Sequence, residues 1–241
     1  MRFVVSVVIS CALNLIVSAD DRTTAPSQDA TVVTSTGTIE GTVTYQADKS
    51  RPWRYARYYV KNRRAGQLAE AVVALTDRSL RNHERAEKPQ TIVIDQKDFR
   101  FDPETVAIRA GDLVKFTNSD NAVHNVRTIN PLHSFNVNMQ SGGKHEEKFD
   151  RASGIRRPYR LGCDYHSSMR AWVFVFAHPY FQVTKADGKF RLDDVPPGDY
   201  DLEMAHPAGE LKWTQKIKVT SGETTKIDIQ VSPDDKTDAK Q

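Results

Sequence analysis

The chain has 241 residues, a formal net charge of +3, 39% apolar and 27% charged residues. That length accommodates one large or two modest domains, each able to bury a core, and the composition is that of folded soluble proteins rather than fibrous or disordered ones. So small a positive balance excludes the dominant basic face on which nucleic-acid binding rests, and no nucleic-acid partner is expected.

In chain order, the first element is a targeting segment. Arg2 supplies a positive start, residues 3–17 are apolar apart from Ser and Asn, and Val17-Ser18-Ala19 offers a small-residue cleavage site before Asp20. This pattern predicts a signal peptide over residues 1–19 and a periplasmic or secreted product. Spanning a bilayer takes ~20 apolar residues; this run is shorter and no later one qualifies, so the mature chain is expected to have no membrane span. Lipid attachment at Cys11, after Val8-Ile9-Ser10, would cut the apolar run in half, and cleavage after Ala19 is the better reading. Loss of Cys11 leaves Cys163 as the one remaining cysteine, which excludes an internal disulfide. A lone exported thiol is held by a partner chain, an inert buried site or a metal.

Residues 20–35 are rich in Thr, Ser and Asp and read as a linker. Residues 36–45 alternate, with Ile39, Gly41 and Val43 on one side, which predicts a half-buried strand; residues 71–75 predict a second. Between them, residues 51–64 hold six basic residues, no acid, and Trp53, Tyr55, Tyr58 and Tyr59. This stretch is read as an irregular arm packed through its rings, with binding of an acidic partner as the alternative. Residues 80–87 suggest a short helical turn. From residue 91 the texture is that of a β-sandwich: short strand runs at 91–95, 105–109, 113–117, 160–163 and 171–176, of which 113–117 alternates, punctuated by Asp102-Pro103 and Gly111-Asp112. Beyond 177 come further strand runs, with Asp187-Gly188 as a hairpin signal and Val195-Pro196-Pro197-Gly198-Asp199-Tyr200 as a turn. Residues 233–241 are a charged tail of disordered composition.

Two motifs in this last region, Thr184-Lys185-Ala186-Asp187-Gly188-Lys189-Phe190 and Val195 to Tyr200, resemble the second half of carboxypeptidase regulatory-like domains. Gly41-Thr42-Val43 and Ala71-Val72-Val73 fit the first half. The resemblance implies a small prealbumin-like sandwich split over residues 36–90 and 177–232, with residues 91–176 inserted. The alternative is two tandem domains with an unrelated N-terminal arm.

The chemistry is concentrated in Cys163-Asp164-Tyr165-His166-Ser167-Ser168-Met169, where a thiolate, an imidazole and a thioether fall within seven residues just after a strand. A second imidazole, His124, lies in Asn121-Ala122-Val123-His124-Asn125-Val126 after the strand ending near Thr117. Two imidazoles and a thiolate with a weak axial thioether form the donor set of a mononuclear blue-copper site, so His124, Cys163, His166 and Met169 are the candidate ligands of one copper ion. Zinc competes less well, because its sites rarely use a thioether. Each residue alone has a plainer reading: a buried cysteine, a surface histidine, a core methionine.

This middle region resembles the plastocyanin/azurin family of cupredoxins, and among them most the amicyanins, in the C-x-x-H-x-x-M spacing, Gly111-Asp112-Leu113-Val114, His124-Asn125-Val126 and Met169-Arg170. The resemblance implies an all-β architecture: a Greek-key cupredoxin sandwich over residues 91–176 beside the smaller sandwich. It implies that the Asn125 N–H reaches the Cys163 sulfur and that Asp164 pairs with Asn125. Ser167 departs from it, since amicyanins have proline there, and residues 130–157 are longer and more polar than the family leads one to expect. The function implied is one-electron transfer by an exported monomer whose redox protein partner docks near His166. The alternative is copper storage or adhesion. Catalysis by this chain alone is not expected: there is no His-x-His pair for a multicopper oxidase and no second mature cysteine for a binuclear site. The remaining histidines are weaker candidates: His133 and His145 are placed at most at the border of the site and not among its ligands, His178 and His206 are read as structural, and His83 as solvated.

Overall fold

The computed structural model describes residues 35–46, 60, 64–82 and 87–233. The expected signal peptide, nearly all of the linker, His83, the tail from 234 and the basic stretch apart from Val60 and Arg64 lie outside the described residues.

Seventeen strands and two short 3-10 turns make up the described chain. In order, the strands are β1 (Gly37–Tyr45), β2 (Val72–Thr76), β3 (Thr91–Lys97), β4 (Arg100–Asp102), β5 (Thr105–Arg109), β6 (Asp112–Asn118), β7 (His124–Thr128), β8 (Phe135–Met139) and β9 (Lys144–Phe149). They continue as β10 (Tyr159–Gly162), β11 (Arg170–Phe176), β12 (Phe181–Val183), β13 (Lys189–Val195), β14 (Gly198–His206), β15 (Leu211–Val219), β16 (Thr224–Lys226) and β17 (Ile229–Val231). The molecule is all-β. The turn anticipated over 80–87 is a 3-10 turn at Ser79–Asn82. The polar segment 130–157 contains β8 and β9, whose alternation of half-buried and exposed residues is weakened by Asn, Lys and Glu at the outward positions.

Four sheets form two sandwiches. In the first, the sheet β4-β3-β6-β9 faces the sheet β5-β11-β10-β7-β8. Ile94, Phe101, Val114, Phe116, Val126, Phe149, Tyr159 and Leu161 fill the space between them. In the second, β1 pairs with β13, β16 and β17, and faces the sheet β12-β2-β14-β15. Strands that precede the first sandwich in sequence therefore pair with strands that follow it. Two glycines make this possible. A Cβ on Gly41 would stand 1.7 Å from the Ile227 carbonyl oxygen, so β1 could not accept its parallel neighbour there with any other residue. Gly188 has φ 69°, and a Cβ on it would stand 2.5 Å from the Val43 oxygen. The Asp187-Gly188 dipeptide thus does not join two strands of one sheet, as a hairpin would. It carries the chain from β12 in one sheet across to β13 in the other, against β1.

Strand β11 is buried on both faces. Ala171, Val173 and Val175 enter the first core. Trp172, Phe174 and Phe176 point the other way, into a third cluster with Val72, Ala74, Ala205 and Ala208 of the second sandwich. Phe176 stacks on Phe181 at 4.6 Å. Arg156 adds a two-pronged ion pair to the buried Glu203, at 2.6 and 3.1 Å. Burying a large apolar side chain is worth ~1.5–3 kcal/mol, so three aromatic side chains in this layer make the two sandwiches one stability unit. Residues 91–176 expressed alone are therefore expected to expose Trp172, Phe174 and Phe176 and to self-associate. Size-exclusion chromatography checks this: replacing Trp172 and Phe174 by Thr should restore a monomer to the excised segment, whereas a monomeric unmodified segment would contradict the packing argument.

His206 ends β14 and caps the 3-10 turn Pro207–Gly209, its Nδ1 accepting from the Gly209 N–H at 3.2 Å. Desolvation by burial depresses its pKa to about 4, against smaller opposing contributions from backbone hydrogen bonds of His206 and Ala69. The unfolded chain, with His near 6.5, binds this proton first as pH falls. The stability held above about pH 6.5 is thus lost progressively down to about pH 4, by up to about 3 kcal/mol from this one group. His206→Asn keeps a capping acceptor and removes the titration. Denaturant unfolding from pH 7 to 4 should show a shallower loss for this variant than for wild type.

Candidate metal centre

Strands β7 and β10 run antiparallel, with Gly162 opposite Arg127. His124, at the start of β7, and Cys163, just past the end of β10, therefore share one pole of the first sandwich. The loop before His124 is built around the buried Asn118. Its Nδ2 donates to the carbonyls of Ala122 (2.8 Å), Met139 (3.0 Å) and Gln140 (3.1 Å), and its Oδ1 accepts from the Asp120 N–H at 3.0 Å. The loop after Cys163 is short, and the Met169 N–H closes it on the His166 carbonyl at 3.0 Å before β11 begins.

Donor atoms of His124, Cys163 and His166 lie within 4.8 Å of one another, the one such group of three among the described residues. The two Nδ1 atoms are 3.0 Å apart, and Cys163 Sγ is 3.6 Å from the His166 Nδ1. First-row ions hold nitrogen at ~2.0–2.1 Å and sulfur at ~2.3 Å, so donors sharing one ion stand ~3–4 Å apart; the two separations fall in that range. His124 and Cys163 are buried and His166 is half-buried. Met169 is buried in the same apolar cluster as Cys163, on the same loop. A thiolate and two imidazole nitrogens, with a buried thioether three residues beyond His166 on the same loop, form a soft donor set suited to copper.

The partners of the donors are equally defined. The Asn125 N–H donates to Cys163 Sγ at 3.3 Å, the contact implied by the family resemblance. The implied side-chain pairing of Asp164 with Asn125 is replaced by another lock. Asn125 Oδ1 accepts from the Asp164 backbone N–H at 3.3 Å. The Asp164 carboxylate instead takes Arg127 Nε at 2.8 Å and Asn136 Nδ2 at 3.2 Å. A carboxylate cannot donate to Asn125 Oδ1, so it turns to the nearby cation and amide. Asn125 Nδ2 in turn bonds Asn136, Asn138 and the Val137 carbonyl. Gln96, fully buried, donates to the Asn125 carbonyl at 3.1 Å and ties β3 to β7.

The far nitrogen of His124, Nε2, lies 2.7 Å from Asp120 Oδ2. Burial pushes the Asp120 carboxyl up, but hydrogen bonds from the Phe99 N–H, His124 and the Asp98 N–H outweigh it and hold its pKa below the usual carboxylate value. The carboxylate form is thus favoured, and it fixes the His124 ring with Nδ1 facing Cys163 and His166. The Phe99 ring stands roughly perpendicular to both imidazoles, with centroids 5.4 Å from His124 and 5.0 Å from His166.

His133 and His145 do not join the donors. Both bond Glu147, at 2.9 and 2.6 Å, between the two sheets. His178 and His206 are buried, and each Nδ1 accepts a backbone N–H two or three residues on. Asp120, Phe99, Asn136 and Arg127 had no signal in the sequence beyond Asp120 lying four residues before His124, a spacing with no meaning until the loop is seen to fold back.

The model of the copper-binding proteins of the plastocyanin/azurin family matches residues 89–176. No curated protein matches the chain. Among solved structures, a copper-containing nitrite reductase from Thermus scotoductus is similar at 19% identity and TM-score 0.34, over 39% of this chain and 24% of that one. This chain therefore spans about a quarter of that enzyme. A purple cupredoxin from Nitrosopumilus maritimus is similar at 22% identity and TM-score 0.30, over 35% of this chain and 98% of that one. A reduced amicyanin variant is similar at 22% identity and TM-score 0.32, over 35% and 81%.

Proposed function

We propose that this chain is an exported one-electron carrier, with residues 89–176, which the model of the copper-binding plastocyanin/azurin family matches, as its copper domain. In this reading His124, Cys163 and His166 hold one copper ion and Met169 is its weak axial partner. The observation that carries the proposal is the convergence of one thiolate and two imidazole donors within 4.8 Å at the end of a rigid sandwich. Copper in such a set supplies one-electron chemistry between Cu(I) and Cu(II).

The chain's own residues support an electron-transfer role rather than simple holding. The Asn125 N–H on the sulfur and the Asp120 carboxylate on His124 keep these donors in place whatever the charge between them. Little rearrangement is then needed when that charge changes. His166 is the most exposed of the three donors, and the exposed side chains of Phe99, Val123 and Tyr165 lie around this pole. An apolar rim around one accessible imidazole suits brief docking of a redox protein. The sequence features of export, residues 1–19 and the single mature cysteine, complete the proposal, as does the absence of a helix long and apolar enough to cross a membrane among the described residues. The strand pairing of β1 with β13, β16 and β17 favours reading the copper domain as an insertion between two halves of the second sandwich.

Purified protein given Cu(II) should develop an intense absorption toward the red end of the visible, from the thiolate–copper bond, and Cys163→Ser should abolish it. An unchanged spectrum in that variant would end the thiolate assignment. A reversible one-electron wave in a redox titration separates a carrier from a storage protein.

Met169 should tune the site more than hold it, because an axial thioether binds weakly beside the thiolate and imidazoles. Met169→Gln is expected to lower the reduction potential while copper stays bound. Copper loss as complete as that of His124→Ala would contradict the axial role.

A further inference from the structure

The turn between β3 and β4 is conformationally expensive. Asp98 and Phe99, its two central residues, have φ 54° and 57°. A two-residue hairpin turn of this kind needs φ > 0 at both positions and is normally made by Asn-Gly or Asp-Gly. Aspartate tolerates the left-handed region, but a bulky Phe there is an outlier. Strain of this sort persists only where the surroundings enforce it, and it gathers at functional sites.

What enforces it is Asp120. Its Oδ1 accepts the Asp98 N–H at 2.8 Å and its Oδ2 accepts the Phe99 N–H at 3.0 Å. Oδ2 also meets His124 Nε2 at 2.7 Å. One carboxylate thus grips both N–H groups of the strained turn and the back of a donor imidazole. The strained backbone sets the Phe99 ring roughly perpendicular to the rings of His124 and His166, with centroids at 5.4 and 5.0 Å. Phe99 is 49% exposed while the His124 beside it is fully buried, so the residue stands between solvent and the imidazoles its ring touches.

We infer that Asp120 and Phe99 form one positioning unit for the metal centre, in which the carboxylate holds the strained turn so that the Phe99 ring confines and shields the two imidazoles. The unit explains why a residue with better turn chemistry is not used at position 99: glycine would relax the backbone and remove the cover. The inference rests on copper occupying the His124, Cys163 and His166 donors. Both residues act through the ligands, and neither offers the ion a donor of its own.

The test uses full-length Phe99→Gly, Asp120→Asn and the double variant. Copper(I) affinity, measured by competition with a chelator, should fall about 10–100-fold in each single variant, the range seen when partners of metal ligands are removed. The double variant should lose no more than the worse single one, because either change disables the same unit. The metal-free Phe99→Gly protein should melt no lower than wild type, since glycine accepts the left-handed backbone. A lower melting temperature would mean that Phe99 serves the fold and would overturn the inference, as would unchanged affinity in Phe99→Gly or losses that multiply in the double variant. In metal-free protein, Asp120→Asn should speed amide exchange at Phe99 or Asp98 at least tenfold, and wild-type protection at both would also overturn it. If wild-type protein takes up no copper, the copper reading fails, and this amide measurement still decides the positioning unit.

Discussion

Strand β11 has no face for water, and much of the rest of the molecule follows from that. Its inward residues, Ala171, Val173 and Val175, complete the first core, while Trp172, Phe174 and Phe176 complete the layer shared with the second sandwich. A strand covered on both sides cannot shift its register without turning apolar residues toward water or into the wrong layer. Its N-terminal end is therefore a fixed point, and the loop from Cys163 to Met169 is strung between it and β10. The second sandwich thus acts on the metal pole indirectly, by clamping the strand that anchors the loop.

At the pole itself, rigidity comes from polar partners rather than from packing alone. Asn118 organises the loop before His124, Asn125 links the sulfur to the Asp164 backbone, and Asp120 fixes the far side of His124. Each is a short side chain with its hydrogen bonds satisfied, as burial demands. The ring of Phe99 closes the arrangement from the solvent side. Only His166 retains partial exposure among the three donors, so the site is stiff where it grips and open at one ring.

Much of this was legible in the sequence wherever one residue type carries one physical meaning. Period-2 alternation marked β1 and β6, because a strand with one buried face must alternate, and Pro, Gly and Asp turns bounded β5. The run at 171–176 marked a strand, and that this strand is covered on both sides came from the structure. The rare combination of thiolate, imidazole and thioether within seven residues singled out Cys163, His166 and Met169, and the upstream His124-Asn125 pair stood out by its resemblance to a known family. Strands β8 and β9 were not legible, since edge strands of a sandwich carry Asn, Lys and Glu outward and dilute their own pattern.

What the sequence by itself determined was local: which segments extend, where glycine and proline turn the chain, and which side chains have the chemistry to hold a soft metal. Only the tertiary structure decided what those side chains meet. The preference of Asp164 for Arg127 and Asn136, the Glu147 partnership of His133 and His145, and the grip of Asp120 on both His124 and the Asp98–Phe99 turn join residues from different strands. So do the packing of Gly41 on the Ile227 carbonyl and of Trp172 on the second sandwich. The physical reason is the same in each case: hydrogen bonds and close packing depend on distances between segments far apart in the chain, and no periodicity within a segment encodes those distances.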